Sequence, residues 1–175
     1  LEKMLAKKLG VPEDMIMVTN GATEAIYLIA QLYSGWASII PQPTFTEYED
    51  ACRIYKHLLS YSADNNLEVL PEDRIYWLCN PNNPTGNVLN KHLIRHIVHE
   101  NPRYLYVVDQ SYEDYTLSPV IHPQDMTDCY NLMLVYSLSK KYCIPGLRLG
   151  YIFSLPIIID RLRQIRQPWA VNAIA

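Results

Sequence analysis

A chain of 175 residues, 49% of them apolar, is long enough to bury one substantial core. The formal charge is −3, with 15 Lys and Arg against 18 Asp and Glu, which argues against a basic nucleic-acid surface. There is neither a signal-peptide pattern nor an apolar run long enough to span a bilayer, so the expectation is a cytoplasmic protein outside the membrane.

In chain order, apolar runs alternate with helical patterns. Strands are expected at 15–18, 38–40, 57–61, 75–79, 104–108, 132–136 and 150–153, and helices at 1–9, 23–33, 47–55, 91–100 and 156–166. Most of the strands are apolar on both faces and rich in Val and Ile. That predicts an α/β domain, three layers (α/β/α) around a mostly parallel central sheet. The basic stretch 161–166 reads as the solvated face of a helix. Cys52, Cys79, Cys129 and Cys143 are widely spaced with no CxxC, as free thiols in a reducing compartment would be. His92, His96 and His99 share one face of the 91–100 helix and read as a surface stripe; no metal site is expected there. The 1–9 helix begins already under way and 171–175 stops mid-pattern, so residues 1–175 read as the core of a longer protein.

In such sheets ligands bind beyond the carboxyl ends of the strands. Every polar cluster of interest sits at such an end. Thr19-Asn20-Gly21-Ala22-Thr23-Glu24 ends the first strand and opens a helix, where unpaired N–H groups suit a phosphate on Gly21, Ala22 and Thr23. The same run also reads as an ordinary cap by Asn20 or Thr23. Phe45 is placed either to stack on an aromatic ring or to fill core. Asn82-Asn83-Pro84-Thr85-Gly86 follows the fourth strand, and Asp109 follows a wholly apolar and aromatic fifth strand, where a carboxylate needs a partner. A protonated ring nitrogen supplies a charge-assisted bond, and Asn83 and Tyr112 can donate to a phenolate oxygen on the same ring. Ser137-Leu138-Ser139-Lys140 follows the sixth strand, where a lysine amine can be desolvated and made nucleophilic. Ser137, Ser139 and Arg148 can hold a dianionic phosphate. Cys79 and Cys143 bracket these loops without a neighbouring His-and-acid arrangement, so cysteine nucleophilic catalysis is not expected.

Asn83-Pro84-Thr85-Gly86, Asp109-x-x-Tyr112 and Ser137-x-Ser139-Lys140 with Arg148 together resemble the fold-type I pyridoxal-phosphate enzymes of the class I/II aminotransferase family. The similarity is greatest to the branch of histidinol-phosphate aminotransferases and threonine-phosphate decarboxylases. The resemblance implies the large cofactor-binding domain of an aspartate-aminotransferase-like fold, without the N-terminal segment and C-terminal small domain. It implies pyridoxal 5'-phosphate as cofactor, with Lys140 forming the Schiff base and Asp109 pairing with the pyridine nitrogen. Asn83 and Tyr112 would lie at the ring hydroxyl and Phe45 in the stacking place. Gly21, Ala22, Thr23, Ser137, Ser139 and Arg148 would surround the phosphate. Lys140, Asp109 and Tyr112 are the expected catalytic residues; the Ser-x-Ser-Lys register selects Lys140 over Lys141. The expected activity is an aminotransferase acting on a small-molecule amino substrate such as histidinol phosphate, in a homodimer. The alternative is an L-threonine-O-3-phosphate decarboxylase, because Gln167-Pro168-Trp169-Ala170-Val171-Asn172-Ala173 resembles a run of those enzymes. A nucleotide-binding or catalytically inactive α/β domain would leave Lys140 and Asp109 unexplained, and the chain lacks G-x-G-x-x-G and G-x-x-x-x-G-K-[ST]. Arg161, Arg163 and Arg166 are not candidates for the family's substrate-carboxylate arginine, which belongs to the absent small domain.

Overall fold

In the computed structural model, which describes residues 1–63, 74–126 and 128–173, the runs read as strands pair into one sheet. The strands are β1 (Ile16–Thr19), β2 (Ala37–Gln42), β3 (Leu58–Ala63), β4 (Arg74–Cys79), β5 (Tyr104–Asp109), β6 (Leu132–Ser137) and β7 (Gly150–Phe153), ordered β1-β7-β6-β5-β4-β2-β3. Pairing is parallel from β3 through β2, β4 and β5 to β6; β7 alone runs against both neighbours, β6 and β1. The helices are α1 (Glu2–Leu9), α2 (Gly21–Leu32), α3 (Glu47–Ile54), α4 (Lys91–Glu100), the short α5 (Leu138–Lys141) and α6 (Pro156–Ile165). Sequence reading located the other helices to within two residues and missed α5, whose single turn is too short to show a period.

Alternation along each strand builds the three expected layers. On β6, Leu132, Leu134 and Tyr136 face one cluster with Ala6 of α1 and Ile94 and Val98 of α4. Met133 and Val135 face the other, with Ile26 and Ile29 of α2, Tyr48 and Cys52 of α3, and Ile159 and Leu162 of α6. Period-2 side-chain direction thus explains why these strands are apolar throughout. Trp77, Tyr48 and Phe153 are among the largest fully buried side chains, each worth about 1.5–3 kcal/mol of burial.

The 161–166 stretch departs from its reading as a solvated face. β1 is an outer strand, and a sheet edge leaves backbone groups to be satisfied. Arg163 donates to the Ile16 carbonyl at 3.0 Å, Arg166 to the Val18 carbonyl at 2.7 Å, and Glu2 accepts from the Val18 N–H at 2.9 Å. Arg163 also pairs with Glu2 at 3.0 Å, and the Arg161 guanidinium lies 5.9 Å from the Tyr33 ring centre. A sequence shows that charge lies on a helix; it does not show that the helix lies along an unpaired strand.

Candidate active site

Register brings the distant motifs side by side. Cys79 is opposite Asp109, Asp109 opposite Val135, and Gly150 lies between Ser137 and Thr19. The carboxyl ends of β1, β4, β5 and β6 therefore share one edge. Over it opens a cavity of about 180 Å³ lined by Ala22, Thr23, Phe45, Cys79, Asn83, Asp109, Ser111, Tyr112, Ser137, Ser139, Lys140, Pro145 and Arg148. Ten of the eleven expected site residues are in that lining. Gly21, the other one, stands directly behind it: a Cβ there would lie 2.8 Å from Arg148 Nη2.

Asp109 is only 3% exposed and ends β5. Its Oδ1 accepts from the Ser111 N–H at 2.9 Å and the Ser111 hydroxyl at 2.6 Å; its Oδ2 accepts from the Tyr48 hydroxyl at 2.8 Å. Burial pushes the Asp109 carboxyl above the ordinary aspartate value, while the bonds from Ser111 and Tyr48 pull it back. No cation among the described residues pairs with it. Sequence alone assigns no role to Tyr48 or Ser111. Ser111 is two residues from Asp109 and carries the signature of a local side-chain turn; Tyr48 arrives from α3 and had no local signal.

Lys140 sits in α5, whose Ser137 cap accepts from the Lys140 N–H at 3.4 Å. Its Nζ lies 5.6 Å from the centre of the Tyr112 ring and has no ion-pair partner among the described residues. Lys141 is the opposite case, held by Glu113 at 3.0 Å and Asp114 at 2.9 Å. The same division separates the two asparagines. Asn82 donates to the Pro43 carbonyl and Thr85 and accepts from Thr44, closing two loops on each other, while Asn83 faces the cavity. Phe45 meets Tyr48 edge-on at 5.7 Å, with its ring in the cavity wall.

The anion end is built around α2. No side chain caps its first turn: Asn20 makes no cap bond, and Glu24 reaches back to the Asn20 N–H instead. The ordinary-cap alternative therefore fails, and the orphan N–H groups of Gly21, Ala22 and Thr23 stay oriented for an anion. Arg148 comes from across the sheet with φ +48°, a conformation costing a non-glycine residue about 1–3 kcal/mol and typical of functional positions. Ser139 donates its hydroxyl to the Leu149 carbonyl at 3.3 Å and accepts from the Leu149 N–H at 3.0 Å, so it braces the strand beneath the cavity. Gly150 was not anticipated. A Cβ there would meet Ala22 N at 2.6 Å and both Gly21 C and Tyr136 O at 2.7 Å, so α2 can start this close to the sheet only over glycine. Cys79 donates to the Pro81 carbonyl at 3.3 Å, and burial, then the Asp109 charge, push its thiol up to about 12, which keeps it protonated. That agrees with a site that does not use cysteine as nucleophile.

The model for the family "Aminotransferase class I and II" matches residues 1–175. The chain belongs to this family. It lies in the fold-type I branch of histidinol-phosphate aminotransferases and threonine-phosphate decarboxylases. It is 33% identical to the histidinol-phosphate aminotransferase of Desulfitobacterium hafniense over 193 residues, which is 100% of this chain and 53% of that protein. Against the enzyme of Moorella thermoacetica, identity is 30% over 194 residues, 100% of this chain and 49% of that one. The crystal structure of L-threonine-O-3-phosphate decarboxylase from Porphyromonas gingivalis superposes with a TM-score of 0.94 and 43% identity, covering 99% of this chain and 54% of that chain. The histidinol-phosphate aminotransferase of Clostridium acetobutylicum, at 22% identity and a TM-score of 0.82, shares the fold. The chain spans about half the length of the curated relatives it matches.

Pyridoxal phosphate is the cofactor of this class I/II fold, and the donor set fits it. Among the described residues, a buried carboxylate without a cation, an amine without a carboxylate, and an arginine beside an uncapped helix end complement its ring nitrogen, aldehyde and phosphate. No described helix is long and apolar enough to cross a membrane.

Proposed function

We propose that the protein carrying this domain is a pyridoxal-phosphate-dependent decarboxylase of a phosphorylated amino acid, with L-threonine-O-3-phosphate as its substrate. One observation carries the reading: the 43% identity to the P. gingivalis decarboxylase over 99% of the chain exceeds the 30–33% to the histidinol-phosphate aminotransferases. The 167–173 run supports it. Asn172 donates to the Leu147 carbonyl at 2.7 Å, tying that run to the residue before Arg148.

Bound pyridoxal phosphate supplies an electron sink for the pair left at Cα when a bond there breaks. Asp109 holds the proton on the ring nitrogen, and Tyr48 and Ser111 hold Asp109. Phe45 would support the ring, and Asn83 and Tyr112 would donate to its oxygen. Arg148 and the first turn of α2 bind the phosphate. The Lys140 amine would hold the cofactor's aldehyde and would be the group to move a proton at the reacting carbon.

Transamination of an amino substrate such as histidinol phosphate is the second reading, favoured by the curated relatives; the same residues serve it, and geometry at Cα decides. In either reading the protein is a cytoplasmic homodimer. Free Cys52, Cys79, Cys129 and Cys143 suit a reducing compartment. The test is CO2 release from L-threonine-O-3-phosphate by the full-length, cofactor-loaded protein with no keto acid present. Catalytic release supports the decarboxylase. Without release, but with amino transfer from histidinol phosphate, the second reading takes its place.

A further inference from the structure

On the face of the sheet that α4 covers, the helix presents three residues four apart to the loop that leads into β6, the last of them nearest the amino ends of β5 and β6. Lys91 Nζ meets Asp125 at 3.1 Å, and Arg95 Nη2 meets the two Asp128 oxygens at 3.2 and 3.1 Å. The third position is different. His99 Nε2 lies 3.3 Å from Asp128 Oδ2 and 3.8 Å from Cys129 Sγ, and Cys129 Sγ lies 3.6 Å from Asp128 Oδ1. A nitrogen, an oxygen and a sulfur donor thus stand within 4.8 Å of one another. A tetrahedral zinc ion, with bonds of about 2.0–2.1 Å to nitrogen and oxygen and about 2.3 Å to sulfur, separates such donors by about 3.3–3.6 Å. Separations of 3.3, 3.6 and 3.8 Å are close to these, with the carboxylate meeting His99 through Oδ2 and Cys129 through Oδ1, so that it must turn to offer one oxygen to the metal.

We propose that His99, Asp128 and Cys129 form a three-ligand Zn²⁺ site that ties α4 to the β5–β6 connection. Cys129 is buried and supplies the floor; the His99 and Asp128 side chains are 43% and 50% exposed and leave an entry path and a fourth position for water. A mixed thiolate, imidazole and carboxylate set selects zinc over Mg²⁺ or Ca²⁺, which take oxygen. On binding, the Cys129 thiol gives its proton to solvent and the sulfur coordinates as thiolate. Arg95 works against the metal because its guanidinium holds the same carboxylate. Removing it must therefore tighten binding, which an adventitious cluster of surface histidines would not show. The site is independent of the reaction assigned to the cavity.

The test uses full-length, cofactor-loaded protein dialysed free of metal, with Zn²⁺ titrated against a chromophoric chelator and Co²⁺ as spectroscopic probe. One equivalent should bind, and Co²⁺ should show the intense ligand-field bands of a tetrahedral thiolate site. Cys129→Ser and the exposed His99→Ala should each weaken Zn²⁺ by at least about tenfold and abolish the Co²⁺ bands, with the cofactor's visible band unchanged. Arg95→Gln should tighten Zn²⁺ several-fold, and His92→Ala with His96→Ala should leave it unchanged. Absence of stoichiometric binding, binding indifferent to His99→Ala, loss through His92 and His96, or no gain in Arg95→Gln would each overturn the site.

Discussion

The carboxyl edge of the sheet and its β1 side treat charge in opposite ways. Along β1, Arg163, Arg166 and Glu2 are committed to the strand's own backbone, and Arg163 and Glu2 to each other. Across the strand ends, Asp109 has hydrogen bonds but no cation, and Lys140 and Arg148 have no carboxylate among the described residues. A charge without a counter-ion is unfavourable for the fold taken alone. It becomes favourable when a ligand brings the missing partner. The difference marks which charges hold the protein together and which await a molecule.

Substitutions on either side should separate the two kinds of charge. Lys140→Ala should lower turnover of the full-length enzyme by at least about 10²–10⁴-fold and remove the visible band of the lysine-bound cofactor. A variant that kept both would place the reactive amine elsewhere. Gly150→Ala forces a methyl group into backbone, so melting should show a loss of about 1–3 kcal/mol or more, together with weaker cofactor binding as α2 is pushed off the sheet. Arg166→Ala should cost about 1–3 kcal/mol by orphaning the Val18 carbonyl, with cofactor affinity untouched. If affinity falls too, the division between the edges is not clean. Lys141→Ala, losing partly exposed pairs, should change stability by no more than about 1 kcal/mol and leave the visible band in place.

Asp109 gives the comparison a pH dependence. Its carboxyl is raised in the fold, so its contribution to cofactor-free stability is fully present below the unfolded aspartate value and is lost as pH rises through the folded one. Asp109→Asn should therefore flatten that part of the stability–pH curve and raise the melting temperature of the cofactor-free protein at neutral pH. Its affinity for pyridoxal phosphate should fall, by about tenfold to a hundredfold for one charge-assisted bond. Equal pH slopes for the two proteins would mean that Tyr48 and Ser111 fully compensate the burial.

Much of the fold could be read from local pattern, because strands apolar on both faces and helices with one apolar stripe repeat at periods that survive in a single chain. His57 shows the limit: it was read as the start of a strand, and it lies just before β3, buried between Ser38 Oγ and the Ala30 carbonyl, both at 2.8 Å. The site was legible where chemistry is carried by short motifs next to strand ends. Tyr48, Gly150 and the His99–Asp128–Cys129 cluster were not, since each takes its meaning from an element distant in sequence. His99 in particular was read among its helical neighbours, while its partners come from the loop before β6.

By itself the sequence determined the layer architecture, because local periodicity survives in a single chain; it pointed to the proposed lysine and aspartate and to their cofactor through short motifs at strand ends and the family those motifs resemble. Tertiary structure decided what holds the neighbours of these residues: Lys141 is paired with Glu113 and Asp114, Asn82 is tied to Pro43 and Thr85, and Arg163 and Arg166 are bound to the carbonyls of β1, while Lys140, Asn83 and Arg148 line the cavity. Adjacent residues of the same type look alike along a chain. Motif register tells them apart in sequence, and the physical reason is whether folding brings them a carboxylate, a carbonyl or an open cavity.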